Sequence, residues 1–258
     1  MTKAASTFRG RFDLLRQAQK RRRGVPLYTL YVNRPIGRAI AAASPSWATP
    51  NHLTIIGAVL TYAALFWLMF FATVGPAAVL VGVGLVVGFF FDSADGQLAR
   101  LRAAGSVSGE WLDHLLDSGR IVLLHVATLW FLVRNDIVAA ELAVVVCTAF
   151  MLAATMVFFG ATLFEKLDAA SQPVGAEAVE PPKPSTLRSA VMLPVDYGVT
   201  CVVFLLVPWP TLFFGVYCLL AVAKVGSTSV FLRKWYLSLR RIDRQRWHAG
   251  VPGDGDAR

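Results

Sequence analysis

From Leu53 to Phe91 the chain contains no Asp, Glu, Lys or Arg. A stretch that long without charge cannot form the surface of a soluble domain. One bilayer crossing takes about 20 apolar residues at about 1.5 Å each, so this run is expected to cross twice. Charged residues make up 16% of the whole chain, against about a quarter in an ordinary soluble domain. The fold class expected is therefore an all-α integral membrane protein.

Six spans are expected. They run from about Leu53 to Val74, Pro76 to Arg102, Gly109 to Val133, Ile137 to Phe164, Ala190 to Val207 and Thr211 to Leu232. Gly75-Pro76, Arg134-Asn135-Asp136 and Pro208-Trp209-Pro210 punctuate them. A polar stretch from about Lys166 to Ser189 carries Pro181, Pro182 and Pro184, which rule out a regular helix there. Upstream, Phe8, Phe12 and Leu15 share one helical face of a basic segment, which suits an amphipathic helix lying on the membrane. A frayed basic tail fits the same residues. Three regions result: a basic interfacial segment (1–49), a six-helix domain (50–236) and a basic, disordered tail (237–258). No cleavable leader is expected, because no apolar core follows the basic start before Leu53.

The net charge of +9 does not point to nucleic acid. The basic residues gather at the ends and at alternate connections, where they would meet anionic lipid. The same distribution places both termini, and the corner joining the second and third spans, on the cytoplasmic side of the plasma membrane. Cys147, Cys201 and Cys218 lie far apart in apolar runs, with no metal-ligand spacing.

The informative window is Asp92 to Asp117, DSADGQLARLRAAGSVSGEWLDHLLD. Asp92 and Asp95 share a face at the end of the second span, and Asp113 and Asp117 share one at the start of the third. A short connection lets the two pairs meet. Four carboxylates at a bilayer edge repel strongly, and burying each costs several kcal/mol. Protonation would relieve that repulsion; hard divalent cations, Mg²⁺ or Mn²⁺, relieve it too and also keep positions open for phosphate, which favours them. A pair of ions about 3.5–4 Å apart would serve both the attacking and the leaving oxygen at phosphorus. Gly96, Ala99 and Gly109 leave room for a ligand or, equally, for a neighbouring helix. Arg100 can pair with a carboxylate or a phosphate. Arg102 needs no role beyond its positive charge on the cytoplasmic side.

The window resembles the signature of the CDP-alcohol phosphatidyltransferase family, D-x₂-D-G-x₂-A-R-x₈-G-x₃-D-x₃-D. Asp92, Asp95, Gly96, Ala99, Arg100, Gly109, Asp113 and Asp117 match every fixed position. At average residue frequencies the chance of such a match is on the order of 10⁻⁷ or below. The resemblance implies that Asp92, Asp95 and Asp113 ligate metal. It implies that Asp117 helps and also deprotonates the acceptor hydroxyl, making it the catalytic residue. It assigns Gly96, Ala99, Arg100 and Gly109 to a CDP pocket. Pro50, Asn51 and Thr54 match a further family habit, and the resemblance brings Asn51 and Thr54 to the nucleotide. Helix capping explains those two equally well. Many members are homodimers, and that expectation carries over.

The reaction implied moves a phosphatidyl or other substituted phosphoryl group from a CDP-linked donor, expected to be CDP-diacylglycerol, to an alcohol, releasing CMP. GEWLDH also resembles the branch in which a CDP-amino alcohol reacts with diacylglycerol. Lys166, Arg188 and Lys224 are candidates for holding an acceptor phosphate. Asp196 and Lys224, costly inside spans, can alternatively pair with each other. An ion transporter could use intramembrane carboxylates but needs no glycines and Arg at these spacings. A polyprenyl transferase would need a second Asp-rich motif.

Overall fold

Residues 7–17, 26–171 and 196–248 are described by a computed structural model, and no strand occurs among them. The helices are α1 (Phe8–Gln17), α2 (Arg34–Ala43), α3 (Pro50–Phe70), α4 (Val79–Arg102), α5 (Val107–Arg134), α6 (Ala140–Ser171), α7 (Tyr197–Val203) and α8 (Pro210–His248). Five are long and apolar enough to cross a membrane: α3, α4 with the turn of 3₁₀ helix before it, α5, α6 and α8. Only 22% to 39% of the most apolar window of each is buried, so most of their apolar surface faces outward, as a lipid-facing surface requires. Of the fifth expected span, residues 190–195 lie outside the described residues. The remainder forms a short apolar helix, Tyr197–Leu206.

Local chemistry sets the start of α3. The Thr49 hydroxyl accepts the His52 amide at 3.3 Å, and His52 Nδ1 accepts the Thr49 amide at 3.1 Å. This reciprocal cap pairs amides that a helix start would leave open, and Pro50 follows at the first helical position. Thr49, not Asn51 or Thr54, is thus the cap. α5 begins the same way, with Ser106 Oγ accepting the Gly109 amide at 3.0 Å.

The helices close a ring. α4 packs on α3 and α2, α3 on α5, α5 on α6, α6 on α8, and α7 joins α8 back to α4. Leu65, Leu68, Val81, Leu85, Phe131, Phe204, Phe213 and Tyr217 fill its interior. α3 and α4 meet backbone to backbone. A Cβ on Gly57 would lie 2.8 Å from the Gly88 carbonyl oxygen, and one on Gly84 would lie 2.8 Å from the Ala64 Cβ. Small residues permit this approach, which brings the Asp92 end of α4 against α3. Gly57→Val is expected to lower stability by about 1–3 kcal/mol, read as an earlier thermal midpoint in detergent. Gly215→Ala, inside α8 where a Cβ meets no atom within 4 Å, should leave that midpoint unchanged or slightly raised.

Three expectations change. α8 continues beyond Leu232 to His248, where a disordered tail was expected from residue 237. Residues 233–248 contain no Gly or Pro and are rich in Arg and Leu, good helix formers. The Trp235 ring lies 5.7 Å from Phe231 and 6.2 Å from Phe164, which ties the extension to α6. α6 likewise outlasts Phe164 and reaches Ser171. In α1, Leu15 is buried and Phe12 packs against a core of Ala41, Ala42, Leu53, Ala94 and Leu98, while Phe8 remains exposed. The expected apolar face of α1 is thus turned largely onto the protein.

Candidate active site

Asp92 and Asp95 lie on the last turns of α4, and Asp113 and Asp117 on the first turns of α5. Ligand oxygens of Asp92, Asp113 and Asp117 all fall within 4.8 Å of one another. Asp95 stands outside this trio, buried against α3. Its Oδ2 accepts the Thr54 hydroxyl at 2.6 Å, and its Oδ1 accepts the Gly96 amide. Thr54 therefore orients a carboxylate, and that hydroxyl is committed whether or not a nucleotide is near. Thr54→Val should weaken Mn²⁺ activation of turnover roughly tenfold, since groups that orient ligands are worth about 10–100-fold in metal affinity. A Mn²⁺ titration of activity checks it.

A residue absent from the sequence-based set sits at the centre. Arg120 Nη1 pairs with Asp92 Oδ1 at 3.0 Å, and Nη2 with Asp117 Oδ1 at 2.7 Å. It is 8% exposed. Its i, i+3 spacing from Asp117 was visible in the sequence, but its link to Asp92 on another helix was not.

The CDP-pocket candidates surround the carboxylates unevenly. Arg100 is exposed, with Nη1 3.6 Å from where a Gly96 Cβ would lie. No helix presses on Gly96, so the space above it stays open to a ligand. Gly109 has a packing reason. A Cβ there would come within 2.9 Å of Asn51 Oδ1, so glycine admits Asn51 to the N-terminus of α5. Ala99 is half-buried on α4, one turn after Asp95. Arg102 does more than carry charge: its guanidinium donates to the Ser46 carbonyl at 3.1 Å, Pro45 at 2.7 Å and Ala48, holding the loop between α2 and α3.

The acceptor candidates divide. Lys166 pairs with Glu110 on an exposed edge. Arg188 lies outside the described residues. Lys224 lines a chamber of about 280 Å³ that begins at Asp117 and Arg120 and runs between α5, α6, α7 and α8. Its walls are largely apolar, with His125, Tyr197 and Thr200 among the polar exceptions. Asp196 accepts the Thr29 amide at 3.0 Å and the Gly198 amide at 2.9 Å, and so anchors the N-terminal segment to α7.

The donor set suits a divalent cation. Three carboxylates from two helices face one another with a fourth beside them, and Arg120 balances only one of their four charges. All are hard oxygen donors of the kind Mg²⁺ and Mn²⁺ prefer.

Known proteins resemble this chain in sequence. The family model for CDP-alcohol phosphatidyltransferase matches residues 47–228. Archaetidylinositol phosphate synthase of Pyrococcus horikoshii is 35% identical over 108 residues, covering 41% of this chain and 54% of that protein. Cholinephosphotransferase 1 of Danio rerio is 32% identical over 90 residues, covering 33% of this chain and 24% of that protein. The matched stretch thus spans about half of one relative and a quarter of the other. The family match covers most of the chain, including all four aspartates, both capped helix starts and the chamber, and on that ground the chain belongs to the CDP-alcohol phosphatidyltransferase family.

Proposed function

We propose that this protein transfers a phosphatidyl group from CDP-diacylglycerol to an alcohol, with release of CMP. The observation that carries the reading is the convergence of Asp92, Asp113 and Asp117 from two helices in a chain of this family. Asp92, Asp95, Asp113 and Asp117 would hold Mg²⁺ or Mn²⁺, two ions in our reading. Bound there, the cations would supply charge stabilisation for the donor pyrophosphate and the departing CMP. Asn51, Gly96, Ala99, Arg100 and Gly109 bound the side from which the nucleotide approaches. Asp117, which lines the chamber, takes the proton of the acceptor hydroxyl. The acceptor oxygen then attacks the phosphorus that carries the lipid, in line with the departing CMP. Such chemistry rests on positioning and electrostatics.

Lys224 in the chamber supports an acceptor carrying an anionic group. Lys166 and Arg188 remain secondary candidates for that group. The Pyrococcus relative, whose name denotes synthesis of an inositol phosphate lipid, supports the same direction of transfer. The cholinephosphotransferase match supports the opposite arrangement, in which the headgroup arrives on CDP and the alcohol is a lipid. A donor screen separates the two. Purified protein in vesicles should release CMP from CDP-diacylglycerol with a polar alcohol phosphate. Release only from CDP-choline or CDP-ethanolamine with diacylglycerol would overturn the donor assignment. Release from neither would overturn the transferase reading.

In this account the active site and both termini face the cytoplasm across the plasma membrane, following the distribution of Lys and Arg. A homodimer is the expected assembly.

A further inference from the structure

We infer that Arg120 is a positioning residue that sets the separation of Asp92 and Asp117 and thereby the affinity of the site for divalent cations. This rests on the metal reading given above. The two groups it joins belong to different helices, α4 and α5, and neither helix takes the other as a main packing partner. A guanidinium across the gap supplies what packing does not. Arg120 donates to one oxygen of each carboxylate, Oδ1 in both cases. Beside this bridge, one carboxylate oxygen from each of Asp92, Asp113 and Asp117 lies within 4.8 Å of the others.

Arg120 is itself held in place. Its Cζ lies 4.6 Å from the centre of the Tyr197 ring and 5.6 Å from that of Phe89. Those two rings meet edge to face at 5.2 Å. Phe89 comes from α4, one turn before Asp92, and Tyr197 begins α7. Tyr197 is fixed in turn by Asp196, which accepts from Thr29 and Gly198. Arg120 is buried, and its Nε has no hydrogen-bond partner. A buried cation of this kind stays in place only if its ion pairs and ring contacts both hold. The seat thus runs from the N-terminal segment through α7 to the carboxylates.

A different reading makes Arg120 a stand-in that occupies the place of a cation and must leave before the cation binds. The two readings predict opposite signs. The planar fork matters only for positioning, because Lys supplies the same charge at a single point and cannot bridge two carboxylates in this way.

The test is Mn²⁺ binding to the purified full-length protein, followed by electron paramagnetic resonance without donor or acceptor. Arg120→Lys and Arg120→Gln should each weaken Mn²⁺ binding by about 10–100-fold, the usual effect of losing a group that orients a metal ligand. Tyr197→Leu leaves the guanidinium present but removes its main ring contact, and should weaken binding in the same direction. It carries the test if the Arg120 variants fail to fold, as judged by melting in the presence of chelator. Unchanged binding in the folded variants overturns the inference, and so does tighter binding in Arg120→Gln, which would make Arg120 a competitor. If the unaltered protein binds no Mn²⁺, or if Asp92→Asn with Asp113→Asn binds it equally well, the metal reading itself fails and takes this inference with it.

Discussion

Asp117→Asn should lower CMP release by about 10²–10⁴-fold while leaving donor binding within a few-fold. General-base catalysis contributes on that scale, and Asn cannot accept the hydroxyl proton. Asn preserves the side-chain shape, keeps an oxygen for the Arg120 contact and leaves Asp92, Asp95 and Asp113 intact. Asp117 also opens onto the chamber in which the acceptor is placed. The loss should therefore fall on kcat far more than on donor affinity. Single-turnover assays at saturating donor, with calorimetry for binding, separate the two. Near-normal turnover would remove Asp117 as the base.

Asp92→Asn together with Asp113→Asn should have an effect of comparable size, because it removes one charged ligand from each helix. The chemistry then loses charge stabilisation of several kcal/mol. About 4 kcal/mol corresponds to roughly 10³-fold in rate. Chelation of the unaltered protein should do the same reversibly, with activity returning on addition of Mg²⁺ or Mn²⁺. Activity that survives exhaustive chelation would argue against a metal-assisted transfer. A double variant that melts early would show instead that the two aspartates serve the fold. Arg120 keeps its pair with Asp117 in this variant, and relief of carboxylate repulsion offsets the lost Asp92 charge, so the melt in chelator should change little.

The acidic quartet was legible in the sequence because carboxylates inside apolar helices are costly and rarely incidental. Two pairs at spacings of three and four, joined by a short corner, leave few other geometries. The spans were legible for a similar reason: a charge-free run has only one solvent to face. What escaped notice depends on contacts between residues distant in sequence. Arg120 stands three residues after Asp117 in the sequence, and only the fold brings Asp92, Phe89 and Tyr197 around it. Thr54 matches a nucleotide-contact position and a cap position, yet its hydroxyl meets Asp95, 41 residues away. Arg102 looked like a charge marking the cytoplasmic side, and its true partners are carbonyls of a loop about 55 residues earlier. The end of α8 was misjudged for another reason. Basic composition suggested disorder, while helix-forming residues without Gly or Pro, and aromatic contacts to α6, extend the helix.

On this reading, α4 and α5 bring their aspartates together around divalent cations. Anomalous diffraction from crystals grown with Mn²⁺ and a CDP-linked donor tests it most directly. A Mn²⁺ peak is expected about 2.0–2.6 Å from carboxylate oxygens of Asp92, Asp113 and Asp117, with the donor pyrophosphate beside it. A bound donor with no peak there, or with those carboxylates turned away from a common point, would contradict it.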